Sequence, residues 1–169
     1  LDELKEINYK LVISNVCNKD RMENIFKNFQ PDIVFHTAAY KHVPMMEDHP
    51  MEAILNNILG TKVMADLSVK YNVSRFIFIS TDKAVNPTNV MGASKRIAEM
   101  YTQSLNQLLM SNVNNENKFR KPTSFITTRF GNVLASNGSV VHIFKAQLDK
   151  GGPVNVTHPA MPRLFSTFA

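Results

Sequence analysis

The sequence has a single cysteine, no run of apolar residues long enough to cross a bilayer, and no metal-ligand pattern. With Cys17 alone, an intrachain disulfide and a cysteine-rich metal site are excluded, and a reducing compartment suits the chain. The histidines at 36, 42, 49, 142 and 158 show no zinc-ligand spacing, so no metal site is expected. No stretch approaches the ~20 apolar residues of a membrane span, and no signal peptide opens the chain. The first residue is Leu1, which we read as a start inside a longer reading frame. Ser80 stands in no glycine elbow, so a hydrolase reading has no support.

What is present is an ordinary globular composition. The 169 residues are 44% hydrophobic and 20% charged, which fits one domain with a core. The formal net charge is +5. A basic balance suits nucleic acid, an anionic membrane or a phosphorylated small ligand. The lysines and arginines are spread out, without a long basic run or an Arg-rich helix, and this argues against nucleic acid.

Apolar periodicity divides the chain into alternating strands and helices. Strands are expected at Lys10–Ser14, Asp32–His36, Arg75–Ser80 and Ser124–Arg129. Helices are expected at Asp20–Phe29, Met51–Tyr71, Met91–Met110 and Ser139–Lys150, the last ended by Gly151-Gly152-Pro153. Pro44 and Pro50 are expected to bracket a loop, and Asn112–Lys118 reads as a polar surface loop. The alternation predicts an α/β fold with a parallel sheet. In such sheets the chemistry lies beyond the carboxyl ends of the strands.

Four segments stand at those ends. His36-Thr37-Ala38-Ala39-Tyr40-Lys41-His42 leaves a strand through small residues, which lets a ligand approach backbone amides; a tight turn explains it equally well. Ser80-Thr81-Asp82-Lys83 brings a hydroxyl, a carboxylate and an amine together. An elimination of water needs such an acid and base, and a solvated turn with a local ion pair is the plain alternative. Met91 and Lys95 lie four apart on one helix face, where a core methionine and a surface lysine are also commonplace. Arg129-Phe130-Gly131-Asn132, then Ser136 to Ser139, form a strand end, a loop and a helix start. Free amides there suit a diphosphate, and Ser139 also suits simple capping.

Together these segments resemble the extended short-chain dehydrogenases that modify nucleotide sugars. The likeness is to the bacterial capsular-polysaccharide and flagellin-glycosylation UDP-N-acetylglucosamine 4,6-dehydratases. It rests on S-T-D-K-A-V-N-P-T-N-V-M-G-A-S-K-R (80–96), A-A-Y-K-H-V-P (38–44), R-F-G-N-V-L (129–134) and G-G-P-V-N-V-T-H-P (151–159). The resemblance implies a partial Rossmann-like, doubly wound parallel sheet, with residues 1–169 as a single partial dehydratase domain. It implies a UDP-sugar substrate, bound NAD or NADP, and a 4-keto-6-deoxy product. Asp82 is then the acid for the C6 hydroxyl, Lys83 the base at C5, and Thr81 a hydrogen-bonding group near the 4-oxygen. Lys95 holds the nicotinamide ribose, Ala38 and Ala39 border the cofactor, and Asn57 braces the active-site helix. Lys41 and His42 face the sugar, Asn132 and Ser139 approach the UDP, and Arg163 grips the diphosphate. The resemblance also implies a cytoplasmic protein whose parent is homo-oligomeric and tethered at the inner face of the membrane.

The chain departs from the family pattern in four places. Met91 stands where most of the superfamily has tyrosine, and a thioether cannot ionise or donate a proton. This methionine marks a branch of the dehydratases, and we expect Asp82, through Thr81, to move the 4-hydroxyl proton instead. No G-x-x-G-x-x-G turn occurs, so the sheet is expected to lack its first two strands. Asn15-Val16 replaces the usual Asp-Val near the adenine. Beyond Arg163 the likeness to the family decays. A UDP-sugar 4-epimerase or reductase, or a catalytically silent truncated product, are the alternatives.

Overall fold

A computed structural model describes residues 8–112, 121–133, 140–156 and 165–166. Helix α1 (Lys19–Phe29) starts where the Asn18 side chain accepts a hydrogen bond from the Arg21 amide. That satisfies one of the free amides of the first turn. Strand β1 (Ile33–His36) follows. Helices α2 (Val43–Asp48) and α3 (Pro50–Ala53) come next. Here the expectation of a loop is corrected: Pro44 and Pro50 lie in the first turns of helices, where a missing amide costs nothing.

The helix expected from Met51 is continuous but not uniform. α3 widens into a π-helical stretch, Ile54–Leu59, before α4 (Gly60–Lys70) resumes. Strand β2 (Arg75–Thr81) leads into a 3₁₀ turn at Asp82–Ala84, then α5 (Val90–Asn112) and β3 (Ser124–Phe130). Two short strands, β4 (Asn132–Val133) and β5 (Phe165–Ser166), pair in parallel. Between them lies α6 (Val140–Asp149), closed by Gly151 at a φ of 71°. Of the polar loop expected at Asn112–Lys118, Asn112 ends α5 and the remainder lies outside the described residues.

The main sheet has the order β1-β2-β3, all parallel. Its register puts Val34 beside Phe76 and Phe125, and His36 beside Phe78 and Thr127. α1, α4 and α5 cover this face, where Met22, Phe26, Leu67, Phe76, Phe78 and Ala98 form the core. The other face carries Ile33, Phe35, Ile77 and Ile126, with Phe35 66% exposed. The strand expected at Lys10–Ser14 does not form: these residues are extended without pairing, and Leu11 and Ile13 are 83% and 90% exposed. No strand among the described residues lies beside them to complete a ladder, and an unpaired backbone keeps its hydrogen bonds with water. The sheet is thus a partial Rossmann-like one. No helix of the described residues is long and apolar enough to cross a membrane.

Candidate active site

The carboxyl ends of β1, β2 and β3 open into one cavity of about 440 Å³. Its walls come from the loop after β1 (Thr37, Ala39, Lys41, His42), the end of β2 (Ser80, Thr81, Lys83), α5 (Met91, Lys95) and the segment after β3 (Phe130 to Val133). A second cleft of about 530 Å³ shares Ala39, Lys41 and His42 with it and runs toward Met45, His49 and Glu52.

The turn after β2 carries the densest chemistry. Thr81 Oγ1 donates to Asp82 Oδ1 at 2.9 Å, and Lys83 Nζ donates to the same oxygen at 3.0 Å. Lys83 Nζ also reaches Asn132 Oδ1 at 3.5 Å, which ties the turn to the segment after β3. Burial alone pushes the Asp82 carboxyl up, but the hydrogen bonds from Lys83 and Thr81 outweigh it and hold the group below its ordinary value. Asp82 therefore rests as a carboxylate. Thr81 and Lys83 line the cavity, and Asp82 is bonded to both without being one of its lining residues.

Helix α5 is docked against this turn by a close backbone approach. A Cβ on Gly92 would lie 2.4 Å from the Lys83 carbonyl oxygen, so only glycine fits there. Asn89 Oδ1 accepts from the Gly92 amide at 2.8 Å, and Glu47 Oε1 of α2 accepts from the Val90 amide at 2.6 Å. Two donors of the first turn are satisfied in this way.

Met91 and Lys95 then enter the cavity side by side. Met91 is buried against Met46 and Ala53 and also lines the cavity. Lys95 is only 4% exposed, so it is not a surface lysine. Its Nζ lies 4.1 Å from the centre of the Phe78 ring, and it makes no ion pair among the described residues. Burial pushes its ammonium down to about 8, against a smaller opposing pull from Glu99.

Asn57 sits behind the cavity, in the π-helical stretch, fully buried. Its Oδ1 accepts from the Tyr40 amide at 2.8 Å, and its Nδ2 donates to the Tyr40 carbonyl at 3.0 Å and to Ser94 Oγ at 2.9 Å. One side chain thus joins the loop after β1 to α5. Ala39 is on the cavity wall, and Ala38 is half-buried beside it but not on the wall. Asn15 belongs to a turn, its side chain accepting from the Cys17 amide. Ser139 and Arg163 lie outside the described residues.

Glu99 went unnoticed in the sequence. It is fully buried one turn beyond Lys95, with Arg129 gripping it through Nε at 2.8 Å and Nη2 at 2.7 Å, and Arg96 Nη1 at 3.0 Å. Burial pushes its carboxyl up, but the two arginines outweigh that and bring it down to about 2. A glutamate four residues after Lys95 and an arginine near a strand end were the available signals. Ser80 Oγ, buried in the cavity wall, makes no hydrogen bond of ordinary length, although it lies near enough to Glu99 to help lower it.

Known proteins share this arrangement of segments. The chain is 54% identical over 161 residues to the capsular polysaccharide biosynthesis protein CapD of Staphylococcus aureus, and 48% identical over 163 residues to the probable polysaccharide biosynthesis protein EpsC of Bacillus subtilis. These matches cover 95% and 96% of the chain, which spans about a quarter (25%) of the length of either relative. A UDP-glucose 4-epimerase of Rickettsia canadensis is 36% identical, across 96% of the chain and 47% of that protein. Among solved structures, Pen from Bacillus thuringiensis superposes with a TM-score of 0.83 at 34% identity, over 98% of the chain and 48% of its own. The model of one family, described as polysaccharide biosynthesis protein, matches residues 2–169. The chain belongs to the polysaccharide biosynthesis protein family, whose relatives include nucleotide-sugar enzymes of the short-chain dehydrogenase type.

Proposed function

We propose that this chain carries the catalytic segment of a nucleotide-sugar 4,6-dehydratase, acting on UDP-N-acetylglucosamine with NAD or NADP. The observation that carries the reading is the Thr81–Asp82–Lys83 cluster, which brings a hydroxyl, a carboxylate and an amine together through contacts of 2.9 and 3.0 Å beside the cavity. The resting ionisation of Asp82 supplies the order of events. A carboxylate takes a proton before it can give one. The C4 hydroxyl proton passes through Thr81 to Asp82, and the acid so formed protonates the departing C6 hydroxyl. Protonating Asp82 also dissolves its ion pair with Lys83, so that Lys83 can release its ammonium proton to solvent and, as the free amine, take the C5 proton. One proton thus serves both oxygens, and Met91 has no proton to move.

The cavity suits the nicotinamide end of a dinucleotide. Lys95 presents a buried ammonium with no ion pair among the described residues, where a ribose diol would sit, and Ala39 leaves the loop after β1 open. When bound, the cofactor supplies the acceptor and donor of hydride. On this reading Lys41 and His42 would face the sugar and Asn132 would approach the UDP, all three lining the cavity, and Ser139 and Arg163 keep the roles that the family likeness suggests. The parent protein would be a cytoplasmic, homo-oligomeric enzyme tethered to the membrane.

The epimerase relative supports a second reading, in which the C4 hydroxyl is oxidised and re-reduced without elimination. The Asp82–Lys83 pair speaks against it, because epimerisation at C4 removes no water. Incubating the full-length protein with UDP-N-acetylglucosamine separates the two. A 4-keto-6-deoxy product is expected, and a C4 epimer would select the second reading. Asp82→Asn should abolish formation of the 4-keto product; normal turnover by that variant would overturn the proton path.

A further inference from the structure

His36, the last residue of β1, is 2% exposed and points into the core beside Phe76 and Phe78. Its neighbour on that face of the strand, Val34, is apolar. A buried imidazole must be partnered to be tolerated. Its partner is Thr61 on α4, with Nε2 and Oγ1 2.9 Å apart. Thr61 Oγ1 lies 2.7 Å from the Asn57 carbonyl oxygen, which can only accept. The one hydroxyl proton of Thr61 is therefore used on Asn57, and Thr61 must accept from His36. That puts a proton on Nε2, and burial among apolar rings disfavours a second one on Nδ1, so the imidazole is neutral.

The contacts continue as a chain. Asn57 holds both backbone groups of Tyr40 and Ser94 Oγ, and Ser94 Oγ donates to the Met91 carbonyl at 2.7 Å. A second link runs through Phe78: the His36 ring stacks on it with centroids 5.8 Å apart, and Lys95 Nζ lies 4.1 Å from the same ring's centre. Both links begin at His36 and end in the turn of α5 that holds Met91 and Lys95. The carbonyl that Thr61 engages lies in the π-helical stretch, where the ordinary helical ladder is interrupted. A side-chain donor there helps to hold that interruption in one place.

We infer that His36 is a positioning residue: through Thr61 it pins the π-helical turn of Asn57, and through Phe78 it seats the Lys95 ammonium at the cofactor end of the cavity. It touches neither substrate nor cofactor. Its role requires a donor at the Nε2 position and a neutral ring, since a second cation beside Lys95 would repel it. Burial, with a smaller push from Lys95, brings the imidazole down to about 4, in keeping with that requirement.

The inference rests on the assignment of Lys95 to a nicotinamide ribose, so its test uses cofactor affinity and ring chemistry and does not depend on which sugar reacts. In the full-length protein, His36→Phe keeps the ring and removes the donor, while His36→Gln restores an N–H near the position of Nε2. NAD affinity measured by calorimetry should fall about tenfold in the phenylalanine variant and recover to within about threefold in the glutamine variant. Equal affinity for all three would overturn the inference, as would equal loss in both variants. Nitrogen-15 NMR of the imidazole in the unaltered protein gives a check that no variant needs. A proton on Nε2 at neutral pH is expected, and a proton on Nδ1 would overturn the inference even if the phenylalanine variant failed to fold. If the protein is an epimerase, both measurements keep their meaning.

Discussion

Glu99 bears on the site through what it holds. A carboxylate with no exposure requires partners for both oxygens, and the fork of Arg129 with Arg96 supplies them. Arg129 precedes Phe130, Gly131 and Asn132, so the ion pair fixes the part of the wall that meets Lys83. Glu99→Gln leaves two guanidinium groups facing a neutral amide, and breaking such a pair costs about 3–5 kcal/mol. Both arginines are more than a third exposed, so the lower end of that range is expected at pH 7. The carboxyl lies at about 2 in the fold against an ordinary 4.5, so its contribution is present above about 4.5 and is lost as the pH falls through 2. Denaturant unfolding at pH 7 and pH 3 checks both points. The glutamine variant should be less stable at pH 7 and should lose less on acidification than the unaltered chain.

Among the elements, the approach of α5 to the turn after β2 determines the site. The Gly92 contact puts the Lys83 carbonyl where any side chain would collide with backbone, which cannot rotate away. Gly92→Ala should move the first turn of α5 outward, cost about 1–3 kcal/mol, and impair the elimination proposed above more than it impairs folding. Thermal unfolding alongside turnover of the full-length protein measures the two separately. This docking could not be read from the sequence, although the elements that dock were. The strands at 33, 75 and 124 announced themselves as apolar runs, and the three segments at their carboxyl ends do converge on one cavity. What escaped was whatever depends on partners distant in the chain. By spacing alone Lys95 reads as a surface lysine, the family likeness alone gave it a site role, and its burial against Phe78 shows only in the fold. The π-helical stretch has no periodicity of its own, so periodicity could place Asn57 on a helix but not aim it, and its bracing role came from the family likeness alone. Lys10–Ser14 had the composition of a strand and lacks, among the described residues, a neighbour to make it one.

Across the whole molecule, the unequal cover of the two sheet faces governs behaviour. One face is filled by α1, α4 and α5, while on the other Ile33, Phe35 and Ile126 are 43%, 66% and 41% exposed. Among the described residues β1 is at the same time an edge of the main sheet, with backbone groups open to further pairing. An exposed apolar strand at a sheet edge is a template for association. A net charge of +5 opposes this only weakly, because the basic residues are dispersed and salt screens them. The 169-residue chain, made alone, should therefore self-associate between micromolar and millimolar concentration. Phe35→Lys places a charge on that edge without touching the core, since Phe35 points away from Val34 and Phe76. The variant should sediment as a monomer where the unaltered chain does not, with stability changed by no more than about 0.5 kcal/mol. Association that persists unchanged in the variant would move the sticky surface elsewhere, to the exposed side of α5 at Ile97 and Met100, which are 48% and 56% exposed.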